Sequence, residues 1–222
     1  MVNRFAQLMG FILMWGILCF AAAGTLDWLR AWIYLALLAG GFTMSAVVVF
    51  KTNPQVIAER GKIHPDTKFL DKIIIAVYSL LLLITPVVAG FDAERFRWSS
   101  MPFAYVYLGT VLYAVSLIPP VWAMAVNPYL ETAVRLQQDR GQFAITSGPY
   151  RFVRHPMYVG VILNQFATPL VLGSMWAYAP SLAIAVLFIV RAALEDRTLL
   201  NELPGYKEFA EHTRYRLLPG VW

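Results

Sequence analysis

The stretch Phe5–Leu26, FAQLMGFILMWGILCFAAAGTL, contains no charged residue. A helix needs about 20 mostly apolar residues to cross the roughly 30 Å hydrocarbon core of a bilayer, because each residue rises about 1.5 Å. The stretch therefore predicts a transmembrane helix. A cleaved signal peptide is the alternative, but a second apolar run follows at once, where a polar mature domain would be expected.

Further uncharged runs repeat this pattern along the chain. Ala31–Phe50 forms a helical hairpin with the first run, Ile73–Phe91 is the third, and a proline-punctuated run predicts a helix over about Pro102–Val126. Met157–Val190 contains glycine and proline, which favours two short helices joined near Gly173–Ser174, tilted or incompletely spanning. We therefore predict an all-α, polytopic membrane helical bundle of five to six transmembrane segments.

The composition agrees with a bilayer environment and suggests an orientation. The chain is 59% hydrophobic and 14% charged, whereas globular domains are about a quarter charged. Lys and Arg concentrate in Lys51–Lys72, in the connection before residue 155 and in the tail, while the opposite connections carry only Arg30, Arg95 and Arg97. The positive-inside rule places the basic connections, and with them the active site, in the cytoplasm. The net charge of +5 thus indicates topology and contact with anionic lipids, and no nucleic-acid partner.

The chain is interpreted as a single domain, residues 1–222, because no repeat or long linker divides it. Residues 1–126 are a transmembrane scaffold with few polar groups, and residues 127–222 carry the chemistry. The single Cys19 lies in the first apolar run, so a disulfide framework and a cysteine metal site are excluded. No metal is predicted.

The connection Lys51–Lys72 is the polar exception in the first half. Its sequence predicts a short interfacial helix that ends at Gly61 and is followed by a turn. We interpret His64 in that turn as a solvated loop residue rather than a ligand.

The most informative segment is Gly148–Gly160, GPYRFVRHPMYVG. Pro156 suits the first turn of a helix, so Arg154 and His155 are expected at the helix mouth. Helix-end N–H groups and the Arg154 guanidinium together favour an anion there, and Gly160 permits close approach to the backbone. The alternative is that Arg154 anchors lipid head groups and His155 only caps the helix.

Taken together, the motif Arg154-His155-Pro156-Met157-Tyr158-Val159-Gly160, preceded by Gly148-Pro149-Tyr150, resembles the signature of the isoprenylcysteine carboxyl methyltransferase superfamily, which includes membrane phospholipid N-methyltransferases. The tail is similar as well, with an arginine (Arg191), an acidic pair (Glu195-Asp196) and an aromatic pair (Tyr206 and Phe209). The resemblance covers about Asn127–Trp222. Asp196 replaces a glutamate usual in the pair, and Phe209 stands where tyrosine is common; neither change should abolish cofactor binding, and both leave open a substrate other than that of the namesake.

The resemblance implies methyl transfer from S-adenosylmethionine in a membrane-embedded pocket that a C-terminal cytoplasmic helical segment completes. It implies a cofactor site made of Gly148, Tyr150, Arg154, His155, Pro156, Tyr158, Gly160, Glu195 and Asp196. The implied catalytic residues are Arg154, Arg191 and Glu195. The implied substrate-binding residues are Asn164, Arg191 and Tyr206.

The chemistry of the cofactor fits these residue types. Tyr158 and Tyr150 offer aromatic faces to a cation or to adenine, Arg154 offers a carboxylate site, and Glu195 offers a contact for the amine or the ribose. Arg191 would clamp an acceptor carboxylate, whereas an amine or thiol acceptor requires a base, for which His155 and Glu195 are the candidates. Alternatively, Arg191 snorkels at the membrane edge or pairs with Glu195 four residues on.

Two other classes of function remain open from the sequence. An NADPH-dependent membrane reductase of the sterol reductase kind would share the architecture, although no basic cluster suited to a second phosphate is evident. A non-enzymatic transport or lipid-binding protein would carry polar residues deep in its helices, and the cluster Asn164, Gln165 and Thr168 is compatible with that or with a pocket wall. For the methyltransferase, we expect membrane lipids as partners and a lipophilic acceptor, a prenylcysteine-type carboxylate or an amino lipid. The oligomeric state stays open.

Overall fold

The computed structural model describes residues 2–60, 67–133 and 135–222, and the regular elements in these ranges are helical throughout. In chain order the α-helices are α1 (Val2–Ala23), α2 (Leu29–Thr52), α3 (Pro54–Glu59), α4 (Phe69–Gly90), α5 (Tyr105–Val126), α6 (Pro156–Leu172), α7 (Tyr178–Glu202) and α8 (Tyr206–His212). The predicted short helix in the second connection is α3, but the predicted end at Gly61 and the interpretation of His64 lie outside the described residues.

Five helices are long and apolar enough to cross a bilayer: α1, α2, α4, α5 and α7. The candidate span that contains α4 extends beyond Gly90 to Arg95, because a π-helical turn, Phe91–Arg95, continues the helix. α6 has 17 residues, short for a full crossing. The prediction of an all-α, multi-pass integral membrane protein is confirmed.

The predicted break between the last two apolar helices is also confirmed. α6 ends at Leu172 and Gly173 follows with φ of 77°, a left-handed conformation that residues with a Cβ adopt at a cost. The second helix of this pair is longer than expected. α7 continues to Glu202, and two charged residues beyond Val190, Arg191 and Asp196, are buried with partners inside the protein.

The described residues divide into two compact units. Unit 1 comprises Met1–Met44, Tyr78–Ser116 and Ile162–Ala185, and unit 2 comprises Ser45–Val77, Leu117–Val161 and Val186–Trp222. Both units therefore draw on the 1–126 scaffold and on the 127–222 region of the sequence.

Unit 1 relies on glycine for close helix packing. A Cβ on Gly109 in α5 would lie 2.8 Å from the backbone nitrogen and from Cγ2 of Val171 in α6. A Cβ on Gly90 in α4 would lie 2.8 Å from the backbone nitrogen of Ala23 in α1. Such contacts let backbones approach, which is the usual way that membrane helices gain van der Waals contact.

Unit 2 has an aromatic core that fixes the C-terminal segment. Its buried members are Ala123, Tyr150, Leu203, Tyr206 and Phe209. Tyr206 and Phe209 project from α8 with their ring centroids 5.3 Å apart. α8 is the predicted C-terminal helical segment, and its cytoplasmic position stays a prediction.

Candidate active site

The mouth of α6 lies in unit 2, and the helix begins at Pro156 as predicted. The backbone N–H groups of Arg154 and His155 donate to the carbonyl oxygens of Tyr215 and Arg216, at 2.9 and 3.0 Å. We expected these donors to hold the carboxylate of a ligand. The C-terminal segment supplies carbonyl oxygens in that position instead, which satisfies the donors within the protein.

The Arg154 side chain is also committed to the protein. Its Nε and Nη2 donate to the two carboxylate oxygens of Asp196 at 2.7 and 2.9 Å, a bidentate pair. Its Nη1 donates to the carbonyl oxygens of Thr213 and Arg214, each at 2.9 Å. This geometry gives Arg154 a positioning role, because a carboxylate ligand would have to displace buried, charge-assisted bonds.

Asp196 is fully buried and serves as the hub of this arrangement. Besides Arg154, it accepts a hydrogen bond from Arg216 Nε at 2.8 Å and from the Tyr206 hydroxyl at 3.0 Å. Burial first, and then the Asp196 carboxylate, raise the pKa of Tyr206 well above its ordinary value, so the phenol stays a donor. Asp196 and Tyr206 therefore join α7, α8 and the C-terminal segment.

Glu195 lies in a different environment from its neighbour in sequence. It accepts a short hydrogen bond from the Tyr158 hydroxyl, and 22% of its side chain is exposed. Among the described residues the cationic contact within 4.0 Å is His155, whose Nδ1 lies 4.0 Å from Glu195 Oε2 and carries charge only when the ring is protonated; Arg191 acts on Glu195 electrostatically from farther away. Glu195 is thus an accessible carboxylate with a neutral hydroxyl as its close partner.

The Tyr158 ring is enclosed by other rings and by a cation. The His155 ring stacks on it, with centroids 5.5 Å apart and an interplanar angle of 5°. Phe188 meets it edge-on at 5.1 Å, and Arg191 Cζ lies 5.4 Å from its centroid. These contacts hold the hydroxyl of Tyr158 in place toward Glu195.

His155 is buried, and its Nε2 makes no hydrogen bond within the part of the chain that the structure describes. Asp196 Oδ1 lies 3.5 Å from it, which is long for a hydrogen bond. A buried ring nitrogen without a partner calls for an explanation. In this position it is a candidate contact for a ligand that enters beside Glu195.

Arg191 forms its ion pair with Asp71 rather than with Glu195. Its Nε and Nη2 donate to the two carboxylate oxygens of Asp71 at 2.8 and 2.9 Å, and Nη2 also donates to the carbonyl of Thr132 at 2.8 Å. The side chain is buried. Because Asp71 neutralises it, the geometry does not favour Arg191 as a clamp for a free carboxylate.

The comparison with known proteins bears directly on this site. Residues 104–203 match the family model described as phospholipid methyltransferase, a range that contains α5, α6 and α7 with His155, Tyr158 and Glu195. This stretch is therefore similar to the phospholipid methyltransferase family. The resemblance seen in the sequence is confirmed, and the family favours methyl transfer as the reaction.

A curated relative matches part of this chain. The cobalt-zinc-cadmium resistance protein CzcN of Cupriavidus metallidurans is 27% identical over 133 residues, which is 60% of this chain and 58% of that protein. In residues 2–60, 67–133 and 135–222, no group of three or more His, Cys, Asp or Glu side chains is placed to hold a metal ion.

Several residues that the sequence interpretation missed lie in the polar connections and support the site. Asp71 lies in the first turn of α4, and a carboxylate opening an otherwise apolar run was the available signal. Arg60 donates to the carbonyl of Leu130 at 3.4 Å, and Thr132 Oγ1 donates to the carbonyl of Arg60 at 2.7 Å. The connection that bears Thr132 is thereby fixed beside Arg191.

The same connection contains an ion-paired cluster. Arg135 Nε donates to Glu131 at 2.9 Å, both side chains being buried, and Arg135 Nη1 donates to Asp139 at 3.0 Å. The hydrogen bond to Glu131 is the main cause that raises the pKa of Arg135, and the bond from Arg135 lowers the pKa of Asp139. This cluster orders the segment before α6.

The remaining residues predicted for the cofactor site have structural partners or structural roles. Tyr150 belongs to the aromatic core; its hydroxyl accepts a bond from Asn127 at 2.8 Å, and burial raises its pKa well above its ordinary value. Gly148 has φ of 60°, and a Cβ there would lie 3.1 Å from Trp122 Nε1. Pro156 and Gly160 are buried on α6.

Asn164 is the predicted site residue that falls in unit 1. Its Nδ2 donates to Ser116 Oγ at 3.2 Å, and its Oδ1 accepts from Thr168 Oγ1 at 3.3 Å. Unit 2 contains His155, Tyr158, Arg191 and Glu195 together. The site that the geometry defines is therefore this cluster.

Proposed function

We propose that this chain transfers a methyl group from S-adenosylmethionine to a lipophilic amine, at the cluster formed by His155, Tyr158 and Glu195. The observation that carries the proposal is the environment of Glu195. It is a partly exposed carboxylate, held by a neutral phenol, inside a family region whose neighbouring charges are paired. A carboxylate of this kind on a membrane helix is costly unless a ligand uses it.

The cluster suits the groups of S-adenosylmethionine. Glu195 offers an anion to its ammonium or sulfonium charge, and the Tyr158 hydroxyl, held by the stacked His155 ring, fixes that carboxylate in place. The unpaired Nε2 of His155 offers a hydrogen bond to a polar atom of the ligand. When bound, this cofactor supplies an electrophilic methyl group whose bonding pair returns to sulfur.

The protein's part in such a transfer is alignment, water exclusion and proton management. Buried aromatic side chains around Tyr158 keep water away from the reacting groups. An amine must lose a proton for its lone pair to attack, and Glu195 or His155 is placed to accept it. No covalent intermediate on the protein is required.

The charges around the cluster favour an amine over a carboxylate as the acceptor. A carboxylate acceptor would meet the negative charge of Glu195 and needs a cation to balance its own. Arg154 and Arg191, the two candidates for that cation, are bound to Asp196 and Asp71. An acceptor amine needs no such cation, and its lipophilic remainder suits a membrane-embedded site.

Calorimetric titration of the detergent-purified chain tests the cofactor. We expect micromolar binding of S-adenosylmethionine and no binding of NADPH. Glu195→Gln should weaken the binding at least tenfold, since hydrogen bonds to a charged group contribute about 1.5–3 kcal/mol. Glu208→Gln is the matched control, an exposed acid on α8, and should bind like the wild type. Binding of NADPH alone, or an unchanged affinity in Glu195→Gln, would overturn the proposal.

The acceptor is tested with cofactor carrying a radiolabelled methyl group and two classes of lipid. Transfer to an amino lipid gives an N-methyl product that survives mild base, whereas transfer to a prenylcysteine carboxylate gives an ester that releases methanol. We expect the base-stable product. Exclusive formation of the ester would refute the amine and retain the methyltransferase.

A further inference from the structure

A second candidate site lies in unit 1, apart from the residues proposed for methyl transfer. The first turn of α2, the connection between α4 and α5, and the turn after α6 enclose a cavity of about 320 Å³. Its polar lining includes Arg30, Glu94, Arg97, Ser99 and Ser100. Two arginines, one glutamate and two serines therefore line the space.

Arg30 is held in a defined position at this cavity. Its Nη2 donates to the carbonyl of Met101 at 2.6 Å, and its Cζ lies 5.2 Å from the centroid of the Phe103 ring. A Cβ on Gly173 would come within 2.4 Å of Arg30 Nη1, so glycine leaves the space that the guanidinium occupies. The two carbonyl bonds of Arg30, to Met101 and Leu170, use two of its five N–H donors.

Asp92 fixes the walls of the cavity. It is fully buried in the π-helical turn, and its Oδ1 accepts the Ser99 N–H at 2.7 Å. Its Oδ2 accepts the hydroxyls of Ser99 and Ser174 at 2.7 and 2.6 Å, together with the Trp176 N–H at 3.1 Å. The lining is thus organised before any ligand arrives, which lowers the entropic cost of binding.

Exposed aromatic side chains flank the same connections. Phe96 and Trp98 stack with their centroids 5.2 Å apart, and Trp98 meets Trp176 edge-on at 6.5 Å. All three are more than half exposed, at 54%, 57% and 57%. Aromatic belts of this kind lie at the head-group level of a membrane. The cavity therefore opens at the depth where lipid phosphates are found.

We propose that this cavity binds a phosphodiester, the head group of a membrane phospholipid. The guanidinium groups of Arg30 and Arg97 match the geometry of a phosphate, and the hydroxyls and fixed backbone around Ser99 and Ser100 complete its polar surroundings. Two cations against the single carboxylate of Glu94 leave the lining net positive. Free phosphate shares this chemistry, and the experiment separates the two sources.

The test is lipid binding to the full detergent-purified chain, measured by native mass spectrometry during titration with phosphatidylglycerol. We expect three single variants to change the affinity in different directions. Arg97→Gln should weaken binding about tenfold, and Glu94→Gln should strengthen it about threefold by removing a like charge. Arg95→Gln should leave it unchanged, because the Arg95 guanidinium donates to the carbonyl of Ala21 and does not line the cavity.

Two competitors distinguish the possible sources of the phosphate. Diacylglycerol with the same acyl chains should bind weakly and without dependence on Arg97. Inorganic phosphate at millimolar concentration should not displace the lipid. If it does, and if the variants rank in the same order of affinity for phosphate as for the lipid, the ligand is free phosphate. The proposed phospholipid site would be refuted if phosphatidylglycerol bound equally to the wild type and to Arg97→Gln, or if Arg95→Gln lost as much affinity as Arg97→Gln.

Discussion

Glu195 and Asp196 are neighbours in sequence, yet their substitution should have opposite consequences. Asp196→Asn removes the charge that neutralises Arg154 and Arg216, whose nitrogens lie 2.7 to 2.9 Å from the buried carboxylate. Breaking a buried pair by removing one partner costs about 3–5 kcal/mol. For a chain of this size each kcal/mol lowers the melting temperature by about 2–4 °C, so we expect a loss of about 6–20 °C.

Glu195→Gln should change the melting temperature by less than about 3 °C, because the Glu195 side chain is partly exposed and the substitution affects one hydrogen bond, from the Tyr158 hydroxyl. Its effect should appear in the affinity for S-adenosylmethionine. The assay is thermal unfolding of both variants in the same detergent, followed by titration of the cofactor below the lower transition. If Asp196→Asn kept a normal melting temperature but lost cofactor binding, the assignment of a structural role to Asp196 and a binding role to Glu195 would be refuted, since Asp196 would then contact the cofactor.

Three other substitutions test contacts inside each unit. Asp71→Asn should lower the free energy of unfolding by about 3–5 kcal/mol because it leaves Arg191 buried and unpaired, and adding Arg191→Met should restore part of the loss; no restoration would contradict the pairing. Gly109→Ala should cost about 1–3 kcal/mol by overpacking, whereas Gly40→Ala, with open space around its Cβ, should be neutral or stabilising, both measured by unfolding in mixed micelles. Asp92→Asn should cost about 1–3 kcal/mol in the same assay, since an amide nitrogen would face a donor; a neutral effect would show that the network around it is dispensable.

The parts of the fold that could be predicted from the sequence are those fixed by residues within the same segment. Runs without charge gave the membrane helices, since the bilayer imposes length and polarity on each segment by itself. Pro156 indicated the start of α6 and Gly173 its end, because each restricts the backbone at its own position.

The partners of the charged residues could not be found in this way. Arg191 pairs with Asp71, which lies 120 positions earlier in the chain, and Arg154 pairs with Asp196, 42 positions later. Such pairs depend on how helices pack, and no spacing in the sequence encodes them. The local alternative for Arg191 was an i,i+4 pair with Glu195, and the structure replaces it with the distant carboxylate.

The acidic pair shows why a motif does not assign roles to its members one by one. Successive residues on an α-helix are turned by about 100°, so neighbours face different surroundings. Asp196 faces Arg154, Arg216 and the Tyr206 hydroxyl, whereas Glu195 faces Tyr158. The carboxylate with cationic partners stabilises the fold. Among the described residues, the other has no cationic atom within 4.0 Å apart from a protonated His155, and the nearby Arg191 is already paired with Asp71, so a ligand that brings positive charge would balance Glu195.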